Sequence, residues 1–225
     1  MTNDQIGLAV GKLLLQAKAI SVNCSQPFVL AGGWASPVYV DVRLLFGDPT
    51  LRREVVDLAL LYTDANLPSD AFEVVVGAET AGISFATSFA DRRSVGFRYV
   101  RKRSLGIGRD AQVEGGPVEG LRVLLMDDLT TDGSSKIGFA RGLRAANAIV
   151  DRVLTVFYHD AFPGALERLK AAGLSLHALA NWEHIIRAEA GRELLPEDRS
   201  VIERFLANPV DWSSRHGGRA SLNSR

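Results

Sequence analysis

The chain has 225 residues and a mass of 24.4 kDa, with 26 basic and 26 acidic side chains and a formal net charge of zero. That balance argues against a general nucleic-acid or membrane surface. A hydrophobic content of 47% is ample for the core of one generous domain. The single cysteine, Cys24, excludes an internal disulfide framework and a cysteine metal cluster, and is expected as a small buried apolar group. No basic-then-apolar leader opens the chain and no apolar run reaches the about 18 residues of a membrane span, so a cytoplasmic protein is expected.

In chain order, residues 4–20 carry Ile6, Leu8, Leu13, Leu14, Ala17 and Ile20 at mostly helical spacing. Residues 28–42 read as short strands around a Gly-Gly turn, with Trp34, Tyr39 and Val40 as walls for a flat ring. A helix is predicted over Pro49–Thr63, with Pro49 at its start. Strands are predicted over Phe72–Val76, Val95–Arg101, Leu121–Met126, Ile149–Phe157 and Leu174–Leu179. Helices are predicted over Thr80–Arg92, Ser134–Ala146 and Gly164–Ala172. This alternation predicts an α/β fold, a mostly parallel sheet covered on both faces, with ligands at the carboxyl ends of the strands. The tail after Asp211, rich in Ser, Gly and Arg, is expected to fray. Trp182 and Trp212 read as packing or interface residues. His159, His177, His184 and His216 show no metal-ligand spacing.

The most informative stretch is Leu121–Lys136, LRVLLMDDLTTDGSSK. An apolar run ends in Asp127 and Asp128. Leu129 and Thr130 follow, then a hydroxyl/glycine loop of Thr131, Asp132, Gly133, Ser134 and Ser135 that opens into a helix. Amides and hydroxyls at a helix N-terminus can wrap a phosphate. Paired carboxylates repel that phosphate, but can accept hydrogen bonds from a sugar diol or hold a hydrated cation. The loop lacks both the Walker A frame and the dinucleotide-binding glycine pattern. Residues 102–118 form a long loop with four glycines, preceded and entered by Arg98, Arg101, Lys102, Arg103 and Arg109. A cationic lid of this kind can close over diphosphate and exclude water.

The pattern of apolar strand, two acids, two residues and Thr-x-Gly-x-Ser resembles the phosphoribosyl-diphosphate (PRPP) signature of type I phosphoribosyltransferases. Three further segments resemble the orotate phosphoribosyltransferase family in order and spacing: FVLAGGWASPVYVDVR (28–43), GAETAGISFATSFA (77–90) and YVRKRSLGIGRDAQVEGGPVEG (99–120). The likeness covers roughly residues 5–160 and implies a small N-terminal hood (1–48), a PRPP-binding α/β core (49–210) and a flexible tail (211–225). It implies transfer of phosphoribose from PRPP to orotate, giving orotidine 5′-monophosphate and diphosphate in UMP biosynthesis. It assigns catalytic roles to Arg101, Lys102, Asp127 and Asp128. Arg101–Arg103 and Asp127–Ser135 would bind PRPP. Ala78, Glu79, Thr80, Ala81 and Gly82 would form the diphosphate turn, and Tyr39, Val40 and Thr131 would touch the base. Mg²⁺ would arrive on PRPP, with no dedicated protein ligand. The lid would reach into the partner's site, so a homodimer with shared active sites is expected, with no nucleic-acid or membrane partner.

The chain departs from that family at Ala35, Ala81 and Leu105, where lysines are usual, and at Ile107, where a histidine is common. Arg cannot donate a proton near neutral pH, so any arginine substitute acts by charge alone. Either catalysis relies on Arg and Mg²⁺, or the protein has become a non-catalytic PRPP-binding regulator; a transferase for another base is a further alternative. Glu79 reads equally as a magnesium contact or as an acid favoured at a helix N-terminus.

Overall fold

The computed structural model describes residues 1–30, 32–103, 112–189 and 194–221. The first helix, Asn3–Gln16 (α1), begins in a capping box between Thr2 and Gln5. It stops short of the predicted residue 20, because Ile20–Val22 (β1) is extended. Phe28–Val29 (β2) and Ala35–Ser36 (β3) form a hairpin, and Val38–Val40 (β4) returns antiparallel to β1. A short helix, Arg43–Gly47 (α2), precedes Pro49–Asn66 (α3). Asp48 caps α3 by accepting from the amides of Thr50 and Leu51 at 2.7 and 2.9 Å, and Pro49 takes the first helical position, where no amide is needed.

The alternating half then follows: Val74–Ala78 (β5), Ala81–Arg93 (α4), Gly96–Val100 (β6), Val113–Glu114 (β7), Arg122–Thr130 (β8), Ser134–Ala145 (α5), Ile149–Tyr158 (β9), Ala165–Ala171 (α6) and Ser175–Asn181 (β10). Three helices that the apolar periodicity does not announce complete the chain: Trp182–Ala188 (α7), Pro196–Ala207 (α8) and Pro209–Arg215 (α9). The six-stranded sheet has the order β10-β9-β8-β5-β6-β7, parallel except for the edge strand β7.

Strand periodicity sorts side chains between two cores. Val75, Leu124 and Met126 face α3, α4 and the N-terminal elements, while Val74, Val76, Val123 and Leu125 face Phe139 and Leu143 of α5 and Leu169 of α6. Strand β8 runs four residues past its predicted end at Met126. Asp127 pairs with Thr155 and Thr130 with Tyr158, so the ladder with β9 carries the acids on a strand rather than a loop.

Three local expectations fail. Cys24 is exposed, because it lies in the turn between β1 and β2 rather than on a core face. Trp34 is fully buried and stacks on Phe162 at 4.4 Å, so it packs the core instead of walling a pocket. Residues 211–221 dock on the hairpin instead of fraying. Ser213 Oγ accepts from the Ala35 amide at 3.0 Å and donates to Arg219 O, and the Arg219 amide donates to Gly33 O at 2.9 Å. Trp182 is a packing residue, edge-on to Phe157.

Candidate active site

The carboxyl ends of β5, β6, β8 and β9 open onto one cleft. An inner cavity of about 380 Å³ is bounded by Asp127, Asp128, the loop 129–132, Ser135 and Lys136, with Leu30, Tyr39 and Val40 opposite. An outer cavity of about 650 Å³ shares Arg43, Glu79, Thr80, Ala81 and Lys102 with it. The two acids, Leu129–Asp132 and Ser135, Tyr39 and Val40, and Glu79–Ala81 are thus brought together in a single chain, whereas Ala78, Gly82, Gly133 and Ser134 do not line the cleft.

Gly82 sets how closely the turn approaches the acids. A Cβ there would lie 2.5 Å from Met126 O and 2.9 Å from Asp127 Cα, so only glycine lets α4 start against the end of β8. The two acids differ sharply. Asp127 is 7% exposed and accepts from Lys136 Nζ at 2.5 Å; Lys136 is 3% exposed and also donates to Ser135 Oγ at 3.1 Å. Among the described residues, no cation forms an ion pair with Asp128. Its Oδ1 accepts only the Leu129 amide, at 2.7 Å. Burial, and then the neighbouring Asp127 charge, push the Asp128 carboxyl up to about 7.

The candidate phosphate loop is braced by Asp132. Its Oδ1 accepts the Ser134 amide at 3.0 Å and its Oδ2 accepts Ser134 Oγ at 2.9 Å, with the Arg168 guanidinium 3.6 Å away. The Ser134 amide is therefore already engaged. Gly133 adopts φ 78°, which a glycine reaches without strain, and releases the chain into α5. As first-turn amides of α5, those of Ser135 and Lys136 have no acceptor within the helix, and amides so placed can bind an anion.

The cations sit differently from expectation. Lys102 borders the cleft of its own chain, because Glu79 Oε2 accepts its amide at 2.7 Å. Arg101 does not border it. Its Nε donates to Glu114 Oε1 at 3.0 Å, and its guanidinium lies over Tyr99, 5.6 Å from the ring centroid. Arg103 is exposed and Leu105, Ile107 and Arg109 lie outside the described residues. Ala81 borders both cavities, whereas Ala35 is buried under Gly218 and Ser213.

Two cations at the site are absent from the sequence expectations. Arg43 reaches both cavities and is held by Asp41 at 2.6 Å and by Tyr39 Oη at 3.2 Å. Lys136 carried a readable signal: a lysine in the first turn of a helix opposes the macrodipole, so an acid partner is needed nearby. Among the described residues, no group of three or more His, Cys, Asp or Glu side chains is placed to hold a metal ion. No helix of the described residues is long and apolar enough to cross a membrane.

No protein-family model matches the chain. Among solved structures, an orotate phosphoribosyltransferase from Aeropyrum pernix superposes with TM-score 0.67 at 31% identity, covering 79% of this chain and 96% of that one. An orotate phosphoribosyltransferase from Mycobacterium tuberculosis H37Rv in complex with PRPP gives TM-score 0.61 at 23% identity, over 80% and 98% of the two chains. Sheet order, acid pair and hydroxyl/glycine loop define the class: a type I phosphoribosyltransferase. A curated relative, the orotate phosphoribosyltransferase of Rhizobium meliloti (strain 1021), is 41% identical over 216 residues, 95% of this chain and 92% of that one. The chain belongs to the orotate phosphoribosyltransferase family.

Proposed function

We propose that this protein transfers the 5-phosphoribosyl group of PRPP to N1 of orotate, in the cytoplasmic synthesis of UMP. The C1–O bond to diphosphate breaks with its electron pair leaving on diphosphate. The N1–C1 bond forms, and the N1 proton is lost to solvent. The observation that carries the reading is the single cleft in which the β8 acids, the α5 anion site and the Tyr39–Val40 wall converge.

In that cleft Asp128 accepts hydrogen bonds from the ribose hydroxyls. Asp127, fixed by Lys136, supports the same face without presenting a second full charge. Loop residues 131–135 take the 5′-phosphate. Positive charge growing on the ribose ring is favoured beside the carboxylates, and negative charge on the leaving diphosphate is favoured beside Lys102 and Arg43. These two cations stand where Ala81 leaves the turn without one. The donor set suits Mg²⁺, which keeps its waters and binds through substrate phosphates and one or two carboxylates; of the four carboxylates on the cleft wall, Asp127 and Asp132 are engaged by Lys136 and Ser134, so Asp128 and Glu79 are the two that would hold it. Bound there, it would neutralise diphosphate charge. Arg101 turns away from its own cleft, which supports donation to the site of a second copy in a homodimer.

A non-catalytic PRPP-binding regulator is favoured by one observation, the cation-free Ala81 on the turn. A spectrophotometric assay of orotate consumption with PRPP and Mg²⁺, run beside uracil and purine bases, decides. Orotate-specific turnover supports the transferase. Binding of PRPP without turnover of any base supports the regulator.

A further inference from the structure

Of the chain's lysines, Lys12, Lys18, Lys102 and Lys170 are exposed, whereas Lys136 is buried, 3% exposed. It stands in the first turn of α5, where the helix dipole disfavours a cation, and it borders the inner cavity but not the outer one. An ammonium carries three N–H donors. Among the described residues two acceptors meet it, Asp127 Oδ2 at 2.5 Å and Ser135 Oγ at 3.1 Å. Buried donors in native proteins are nearly always paired, so the third N–H, beside a cavity, calls for an acceptor that the protein does not contain. The surrounding charges say of what kind. Asp127, Asp128 and Asp132 border the inner cavity, and the other cations on its wall, Arg43 and Lys102, are shared with the outer one. An anion entering beside three carboxylates needs a cation at the inner end, and Lys136 is placed there.

We propose that Lys136 is a ligand of the PRPP 5′-phosphate: its third N–H donates to a phosphate oxygen while Asp127 and Ser135 keep the other two. The inference rests on the PRPP reading and deepens it, by giving the phosphate a side-chain cation from the same helix turn that offers its amides. Two fixed acceptors hold the ammonium in place before the ligand arrives, so little order is lost when it binds. A charge-assisted bond to a phosphate dianion is stronger than one to a neutral ribose hydroxyl, which selects the phosphate as the partner.

Lys136→Met alone leaves Asp127 buried without its counter-charge, so the test uses Asp127→Asn/Lys136→Met, which removes the pair at constant net charge. By titration calorimetry this variant should bind ribose 5-phosphate about 10- to 100-fold more weakly than the wild type, the effect of losing one charge-assisted bond. Its affinity for diphosphate should be unchanged. Asp127→Asn alone, which keeps the ammonium, should lose less. An unchanged ribose 5-phosphate affinity in the double variant overturns the proposal. So does an equal loss for diphosphate, which marks a structural role, and so does an equal loss in Asp127→Asn alone, which assigns the contact to the acid. A measurement on the wild type needs no variant. A buried ammonium exchanges its protons slowly, and the other lysines are exposed, so the ¹⁵N signal of Lys136 is recognisable. It should shift when ribose 5-phosphate binds and stay in place with diphosphate. A signal that moves only with diphosphate overturns the proposal. PRPP binding with a fixed Lys136 signal removes the proposal alone. A wild type that binds neither PRPP nor ribose 5-phosphate removes the PRPP reading with it.

Discussion

The ribose side and the diphosphate side of the cleft are built on opposite principles. On the ribose side most elements are braced, Asp128 excepted. Strand β8 pairs with both β5 and β9, Asp127 is clamped by Lys136, and Asp132 braces the loop it belongs to. On the diphosphate side Lys102 is exposed and held through its amide by Glu79, and the Arg101 guanidinium, 25% exposed, is held by Glu114, by a 3.4 Å contact to Tyr99 Oη and by the Tyr99 ring. On the proposed assignment the sugar would meet braced groups and the leaving group more exposed ones. Fixed acids cost nothing to reorganise as charge develops, whereas mobile cations can exclude water and then release product.

The largest expected effect breaks the fixed side. Asp127→Asn leaves the Lys136 ammonium buried without a counter-charge, which costs about 3–5 kcal/mol. At about 2–4 °C per kcal/mol for a chain of this size, the thermal midpoint should fall by roughly 6–20 °C. Adding Lys136→Met, which removes the orphaned charge, should recover most of that loss. A single Asp127→Asn variant that melts with the wild type would show that the pair carries no structural weight.

Asp128→Asn tests the other acid and should do the reverse. It removes an acceptor for the ribose diol, so kcat/KM for PRPP should drop by about 10- to 100-fold, the effect of a charge-assisted bond. Stability should rise at high pH. The folded-state pKa of Asp128, about 7, lies above the value of an unfolded aspartate, so its ionisation opposes folding as pH climbs through that window. The wild type should therefore lose stability between about pH 4 and 7 through this group, and Asp128→Asn should melt higher at pH 8. In turnover the sign is opposite. The diol needs the carboxylate, so kcat/KM for PRPP should fall below about pH 7, and the acid limb should flatten in Asp128→Asn. A pH–rate profile with the same acid limb in both proteins would assign that limb to another group.

How much of this was legible follows the same division. The sheet, α3, α4 and α5 were readable because buried parallel strands and capped helices write themselves as apolar runs with Pro, Asp and Gly at their ends. The acid pair and loop were readable because their chemistry is contiguous. What escaped was non-local. Lys136 acquires meaning only when α5 folds back on the end of β8, and Arg43 only when α2 lies across the turn at Glu79. Helices α7–α9 escaped because they pack as short pieces onto α1, β10 and the hairpin, a tertiary support that single-segment periodicity does not record. Trp34 was misplaced for the same reason: its stacking partner, Phe162, is over a hundred residues away in the sequence.

On the mobile side, Lys102→Ala and Arg101→Ala should each lower kcat, by about 10-fold for one charge-assisted contact made as diphosphate leaves, with little change in melting. The structure separates the two in a mixing experiment. Arg101→Ala mixed with Asp128→Asn should regain activity after subunit exchange if Arg101 serves the second copy. Lys102→Ala in the same mixture should regain less, because Lys102 borders its own cleft. Equal recovery would place both residues on the far site.

The smallest expected effect concerns the tether that holds Arg101 out of its own cleft. The Arg101–Glu114 pair is partly exposed, and pairs of this kind are worth about 0.2–1 kcal/mol. Glu114→Gln should therefore leave the thermal midpoint within about 2 °C of wild type. If Arg101 must leave Glu114 to meet diphosphate, weakening the tether lowers the cost of that movement without altering the contact made afterwards. kcat should then rise by up to about 5-fold, the rate equivalent of 1 kcal/mol, and Arg101→Ala should abolish the gain. The gain should also shrink as salt is added, since ions already screen the tether in the wild type. A lower kcat in Glu114→Gln would reverse the reading: the ion pair would then be the working posture of Arg101, with Glu114 aiming the guanidinium, and the diphosphate side of the cleft would be as preorganised as the ribose side.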